Sequence, residues 1–149
     1  MTGVGRAALI TAGAAAGTIV VDRALKVAAE HALDEGERAR GPLGTRLVRR
    51  TNEAGIASAS NSDGLGRAMI GVGGLLALGI AGAGIATRRP LAVQLGAGLV
   101  AGGMAANLVD RATRGRVTDY LATPLGVLNA ADLAIGAGLV LGGIGLALR

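Results

Sequence analysis

Four long apolar runs without a single charge constrain this chain more than anything else in it. They are Ala7–Val21 (AALITAGAAAGTIVV), Met69–Ala86 (MIGVGGLLALGIAGAGIA), Leu91–Val109 (LAVQLGAGLVAGGMAANLV) and Leu133–Leu148 (LAIGAGLVLGGIGLAL). A helix needs roughly 20 residues, within about 17–25, to cross a bilayer. The second and third runs meet that length. The first and fourth reach it when flanking residues, Gly3–Arg6 and Asn129–Asp132, join the helix. The pattern predicts an all-α membrane protein with four transmembrane helices, a single integral membrane domain over residues 1–149, with spans near 7–21, 69–86, 91–109 and 133–148. The outer segments are then 22–66 and 110–132, and the longer one makes a small extracytoplasmic subdomain between helices 1 and 2. Only Arg6 precedes the first run as a basic residue, and no small-x-small cleavage site stands out, so it reads as an uncleaved span rather than a signal peptide.

The residues that fill these runs agree with packing in lipid. The chain has 27 Gly, one Tyr and no Phe or Trp. A soluble domain of this size normally carries aromatic residues, which bury large areas. Small residues instead let helix backbones approach closely, which membrane bundles reward. Gly13 and Gly17, Gly98 and Gly102, and Gly138 and Gly142 each lie four apart on one helix face, although such pairs also arise by chance in so glycine-rich a chain. A soluble bundle with a Gly/Ala core is the weaker alternative, because each helix-interior Gly costs about 1 kcal/mol. No Cys is present, which removes disulfides and thiolate chemistry. His31 alone builds no metal site. The net charge of +5 is scattered and has no aromatic residues interleaved for base stacking, which argues against nucleic acid.

Charge suggests the topology. Arg6, Arg88, Arg89 and Arg149 fall on one side with no acid. The other eleven of the fifteen Lys and Arg, with all ten acids, fall on the opposite side. The tight Arg88-Arg89 turn reads as a cytoplasmic anchor, with both termini inside and both polar segments outside, although the larger absolute count of basic residues lies outside.

Within the first outer segment, Val27–Arg40 reads as a short polar helix ending near Gly41-Pro42. Leu43–Ser60 reads as short strands or a surface-lying stretch. Arg46, Arg49 and Arg50 there either face solvent or meet anionic headgroups, at about 1 kcal/mol per charge. The second outer segment is denser: NLVDRATRGRVTDYLATPLGVLNAAD, Asn107 to Asp132. Polar groups at the edge of hydrocarbon are expensive and usually mark function. Asn107, Asp110 and Arg111 share one helix face at the end of the third run, and Asn129 and Asp132 share one at the start of the fourth. Asp119 lies between them. Asp119 and Asp132 can therefore meet at the membrane surface. Two close carboxylates in a low dielectric share one proton, so that one activates water while the other protonates a carbonyl. Asp–Arg pairs tying helix ends together explain the same spacing equally well.

Three linked motifs in this stretch resemble the lipoprotein signal peptidase (signal peptidase II) family, as a divergent member. They are Gly102-Gly103-Met104-Ala105-Ala106-Asn107-Leu108-Val109-Asp110-Arg111, Gly115-Arg116-Val117-Thr118-Asp119-Tyr120, and Asn129-Ala130-Ala131-Asp132. A fourth, Asp22-Arg23-Ala24-Leu25-Lys26, closes the first run. The family's N-x-G-x-A-F element is half present at Asn52–Ser58, with Asn52, Gly55 and Ala57 retained, one extra residue, and Ser58 where Phe is usual.

The resemblance implies a four-span aspartic endopeptidase of the bacterial plasma membrane with Asp119 and Asp132 as its catalytic pair. Asn107, Arg111, Asn129 and Asn52 would orient substrate and pair, and Asp22, Lys26 and Asp110 would be structural support. It further implies prolipoprotein substrates with a diacylglyceryl-modified Cys, contact with membrane lipids, a monomer, and no metal or organic cofactor. The alternative is a non-catalytic membrane homologue that binds lipidated peptides; a small transporter or holin-like protein is a remoter one. A serine mechanism is not expected, because Ser58, Ser60 and Ser62 have no motif pairing them with His31.

Overall fold

The computed structural model describes residues 2–52, 64–86 and 90–148; of Leu43, residues 64–70 and Ala86 it describes the backbone alone. In chain order these form α1 (Gly3–Ala32), β1 (Arg38–Arg40), a 3₁₀ turn (Pro42–Gly44), β2 (Arg46–Asn52), α2 (Gly64–Ala86), α3 (Leu91–Arg114), β3 (Val117–Thr123), β4 (Gly126–Leu128) and α4 (Ala130–Ala147). Among the described residues α1, α3 and α4 are long and apolar enough to cross a membrane, and α2 has a shorter apolar stretch, Gly71–Ile85. Their outward side chains, such as Leu9, Val20, Leu78 and Leu139, are more than half exposed. Lipid is the solvent that suits such a surface.

Helix α3 is the central post, and glycine makes it so. A Cβ on Gly98 would lie 2.5 Å from the Thr11 carbonyl oxygen, and one on Gly102 2.6 Å from that of Ala15. Around the helix, a Cβ on Gly96 would lie 2.6 Å from the Gly138 carbonyl oxygen, and one on Gly103 2.5 Å from that of Ala131. Backbone therefore packs on backbone along two faces of α3, against α1 and against α4. Of the sequence-spaced pairs, Gly98 and Gly102 both serve this contact and Gly138 does too, whereas a Cβ on Gly13, Gly17 or Gly142 would meet nothing within 4 Å.

The contacts also give direction. Thr11 lies beside Gly98 and Lys26 beside Asp110, so α1 runs parallel to α3. Gly103 touches Ala131 while Gly145 touches Val93, so α4 runs antiparallel to it. The polar ends of α1 and α3 and the start of α4 thus gather at one end of the bundle. Helix α1 has 30 residues, about 45 Å at 1.5 Å each. That exceeds a hydrocarbon layer of about 30 Å, so the helix is longer than a single crossing needs.

At that end the expected all-α fold requires correction. A four-stranded antiparallel sheet, ordered β1-β2-β3-β4, caps the bundle. The expected polar helix over Val27–Arg40 is also corrected: α1 continues without a break to Ala32 and stops there. The following turn has its own fastenings. Gly36 takes a left-handed φ of 81°, which suits a residue without Cβ, and the Glu37 carboxylate accepts the Asp34 N–H at 2.8 Å. β-Branched Val117, Thr118 and Thr123 favour the strand that follows Gly115, the left-handed C-cap of α3. Part of Leu43–Ser60 is strand β2, whose register shifts between Leu47 and Arg50; residues 53–60 lie outside the described residues.

Candidate active site

Three elements deliver polar side chains to one point below the sheet. Asn107 comes from the last turns of α3, Asp119 from the buried half of β3, and Asn129 and Asp132 from the first turn of α4. Asn129 is the N-cap of α4. Its side-chain oxygen accepts the Asp132 N–H at 3.0 Å, and its own N–H donates to Asp132 Oδ2 at 3.1 Å. This reciprocal capping satisfies two helix-end donors and fixes the Asp132 carboxylate.

The same Asn129 holds the other acid. Its amide nitrogen donates to Asp119 Oδ1 at 2.7 Å and to Asn107 Oδ1 at 3.3 Å. Asn107 in turn donates to Asp132 Oδ1 at 3.0 Å. The second oxygen of Asp119 accepts from Asn52 Nδ2 at 3.2 Å. Two carboxylates from separate elements are thus held in one frame of three asparagine amides. Asn52, from the half-present motif, reaches the site as the last residue of β2, opposite Val117.

Electrostatics separate the two acids. Asp119 is only 5% exposed, and this burial holds its carboxyl above the usual Asp range. The Asn129 and Asn52 amides pull it back down, the charge of Asp132 adds to the rise, and that of Lys26 subtracts from it. Desolvation disfavours the charged form, and here it outweighs the amides that favour it. Asp132 is half-buried in the first turn of α4. Two carboxyls held close together in unlike surroundings are the kind of groups that general acid–base hydrolysis uses.

Beside this frame lies a buried ion cluster. Lys26 is fully buried and bonds Asp22 at 2.6 Å, Asp110 at 2.7 Å and Asn107 Oδ1 at 3.0 Å. Asp22 also accepts the Ala131 N–H at 2.9 Å, next to Asp132 in sequence. Arg114 and Arg23 flank Asp110 at 3.7 and 4.0 Å. Arg111, one turn beyond Asn107 on α3, is half-buried. His31 is an exposed helix residue against the Val27 carbonyl. Among the described residues no three His, Cys, Asp or Glu side chains group as a metal site.

Two features were not foreseen from sequence. The Tyr120 hydroxyl accepts the N–H of Ala130, the first residue of α4, and burial pushes this phenol up to about 12. Glu30 accepts from both Arg114 and Thr118, tying the end of α1 to α3 and β3. A signal for the second existed: Asp22, Lys26 and Glu30 recur every four residues on α1, and Asp110 and Arg114 do so on α3.

Comparison with solved structures finds the same fold. One bacterial membrane enzyme matches with a TM-score of 0.76 at 21% identity, over 95% of this chain and 92% of that one. A second matches with a TM-score of 0.69 at 20% identity, over 96% and 88%. No curated protein matches the sequence. The family model for signal peptidase (SPase) II, a family of aspartic proteases of the membrane, matches residues 14–148, the stretch that contains the asparagine frame and both of its acids. The chain belongs to the signal peptidase II family.

Proposed function

We propose that this protein is an aspartic endopeptidase of the bacterial plasma membrane. In this reading it removes signal peptides from diacylglyceryl-modified prolipoproteins, cutting just before the lipidated Cys. The observation that carries the reading is the position of Asn129, which bonds Asp119 through its side chain and Asp132 through its backbone and cap. The two acids are therefore fixed relative to each other before substrate arrives, as preorganised catalysis needs.

Asp132 acts as the base that takes a proton from water, and Asp119 as the acid that protonates the scissile carbonyl. Asn107, Asn129 and Asn52 hold the pair, Arg111 orients the substrate backbone, and Asp22, Lys26 and Asp110 brace the helix ends. All four helices span the membrane, with both termini cytoplasmic. A mostly apolar groove of about 360 Å³ beside the start of α4, lined by Ala14, Gly17, Thr18, Val21, Leu99, Ala130 and Ala134, receives the apolar part of the substrate.

The test is cleavage of a diacylglyceryl-modified precursor by purified Asp119→Asn and Asp132→Asn proteins. Each is expected to lose about 10²–10⁴-fold in rate, the usual worth of a positioned acid or base. Unchanged cleavage by either variant would sink the assignment. A wild-type protein that binds lipopeptide saturably and never cuts it would establish the non-catalytic homologue instead.

A further inference from the structure

The sheet carries a second charged surface, away from the two acids. Directly opposed residues of antiparallel strands share a face, and alternate residues along a strand do too. Arg38 and Arg40 alternate on β1. Arg38 opposes Val48, Arg40 opposes Arg46, Arg46 opposes Ala122, and Ala122 opposes Val127. Arg38, Arg40 and Arg46 therefore stand together over an apolar floor of Val48, Ala122 and Val127. These six residues line one open hollow of about 750 Å³.

The placement of charge there is costly without a ligand. Arg40 directly opposite Arg46 is a like-charge cross-strand pair, which weakens a hairpin. All three arginines are exposed, and among the described residues the ion pairs run through other side chains. Three glutamates near it are engaged elsewhere. Glu35, on the rim of the hollow, binds Thr51 and Arg49, Glu37 binds the Asp34 N–H, and Glu30 binds Arg114 and Thr118. Arg49 and Arg50 of the expected basic cluster also line the hollow, but the Arg49 guanidinium donates to the Glu30 and Leu33 carbonyls.

The position selects the partner. The sheet sits where α1, α3 and α4 end or begin, at the edge of the lipid-facing bundle. Arg46 also borders Thr123 and Pro124 in a second hollow, and the next residue, Leu125 at the β3–β4 tip, is 90% exposed. An exposed apolar tip beside a basic face matches acyl chain beside phosphate. We propose that Arg38, Arg40 and Arg46 form a binding face for the phosphodiester headgroup of anionic phospholipid, which seats the sheet on the membrane surface and holds it over the site.

The full chain, reconstituted in nanodiscs, tests this with spin-labelled phosphatidylglycerol and spin-labelled phosphatidylcholine as probes. The wild type is expected to immobilise the anionic lipid about fivefold or more over the zwitterionic one, falling with added salt. A variant with Arg38→Ser, Arg40→Ser and Arg46→Ser should lose that preference, whereas Arg6→Ser, at the far end of α1, should keep it. Arg40→Glu is the second variant, because it turns the like-charge pair into an opposite pair that favours the hairpin and should still reduce the preference. Equal immobilisation of both lipids by the wild type overturns the proposal. So does a preference that survives both substitutions. Saturable binding of inorganic phosphate by the detergent-solubilised protein, without any lipid preference, would assign the face to a free anion and also overturn it.

Discussion

Two groups of buried acids lie side by side in this protein and are held in opposite ways. Asp22 and Asp110 close on the ammonium of Lys26, which is wholly buried between them. Asp119 and Asp132 are bound by asparagine amides and a backbone N–H, donors that carry no charge. A cation offsets the charge of the acids that close on it. Neutral donors position an acid without cancelling its charge, and at Asp119 burial outweighs their pull toward the ionised form. Asn107 belongs to both groups, accepting from Lys26 and donating to Asp132. The first group is built to brace, and its bracing passes directly into the second.

The sharpest way to break this contrast is Lys26→Met. It strands two carboxylates in a buried place, and loss of one partner from a buried ion pair costs about 3–5 kcal/mol. Chemical unfolding in detergent measures it. Replacing all three charged groups together should recover much of the loss, and a single-variant cost below about 1 kcal/mol would show that the cluster is not a brace. Next come two glycines of α3. Valine at Gly98 or Gly103 drives a side chain into a backbone oxygen 2.5 Å from the ideal Cβ, and overpacking costs about 1–3 kcal/mol. The two should differ in activity. Gly103 presses on Ala131, beside Asp132, so Gly103→Val should slow cleavage as well as weaken the fold. Gly98 presses on Thr11, far down the bundle, so Gly98→Val should weaken the fold alone.

How far each region could be read from sequence differs for the same physical reasons. Uncharged runs and helix-spaced polar residues are local signals, so the apolar stretches of α1, α3 and α4 and the shared faces of Asn107 with Asp110 and Asn129 with Asp132 are legible directly. Pairing of strands distant in sequence is not local. Arg46–Asn52 alternates poorly, and its partner β3 lies some 70 residues away across two helices. Short strands are therefore legible within Leu43–Ser60 but their pairing into a sheet is not, and the sequence reads as helix where Gly36 turns the chain. Asn52 illustrates the limit. Its motif is half present, yet the register of β2 against β3 puts its amide on Asp119. Tyr120 was missed because its use depends on α4 returning to β3, which no spacing reveals.

Tyr120 sharpens the contrast at a smaller scale. Tyr120→Phe keeps the ring and removes the acceptor for the Ala130 N–H. The expected cost is about 1 kcal/mol. It should be insensitive to pH across the physiological range, because the phenol is pushed up to about 12 and stays protonated there. A pH-dependent loss would mean the hydroxyl does more than anchor the first turn of α4.

The smallest effect is the most diagnostic of the amide-held pair. Asp119 binds its proton more tightly folded than unfolded, so its contribution to stability fades as pH rises from the usual Asp value through the raised one. If Asp119 is the acid, cleavage should fall on the alkaline side as that proton leaves. The Asn52 amide favours the ionised form and so opposes the rise. Asn52→Ala removes that opposition, and the alkaline limb of the kcat/KM profile should move to higher pH. An Asn52 variant whose limb moves to lower pH would reverse the assignment of acid and base. A limb unmoved by Asn52→Ala but shifted by Asn129→Ala would leave Asn129 as the amide that governs the proton of Asp119.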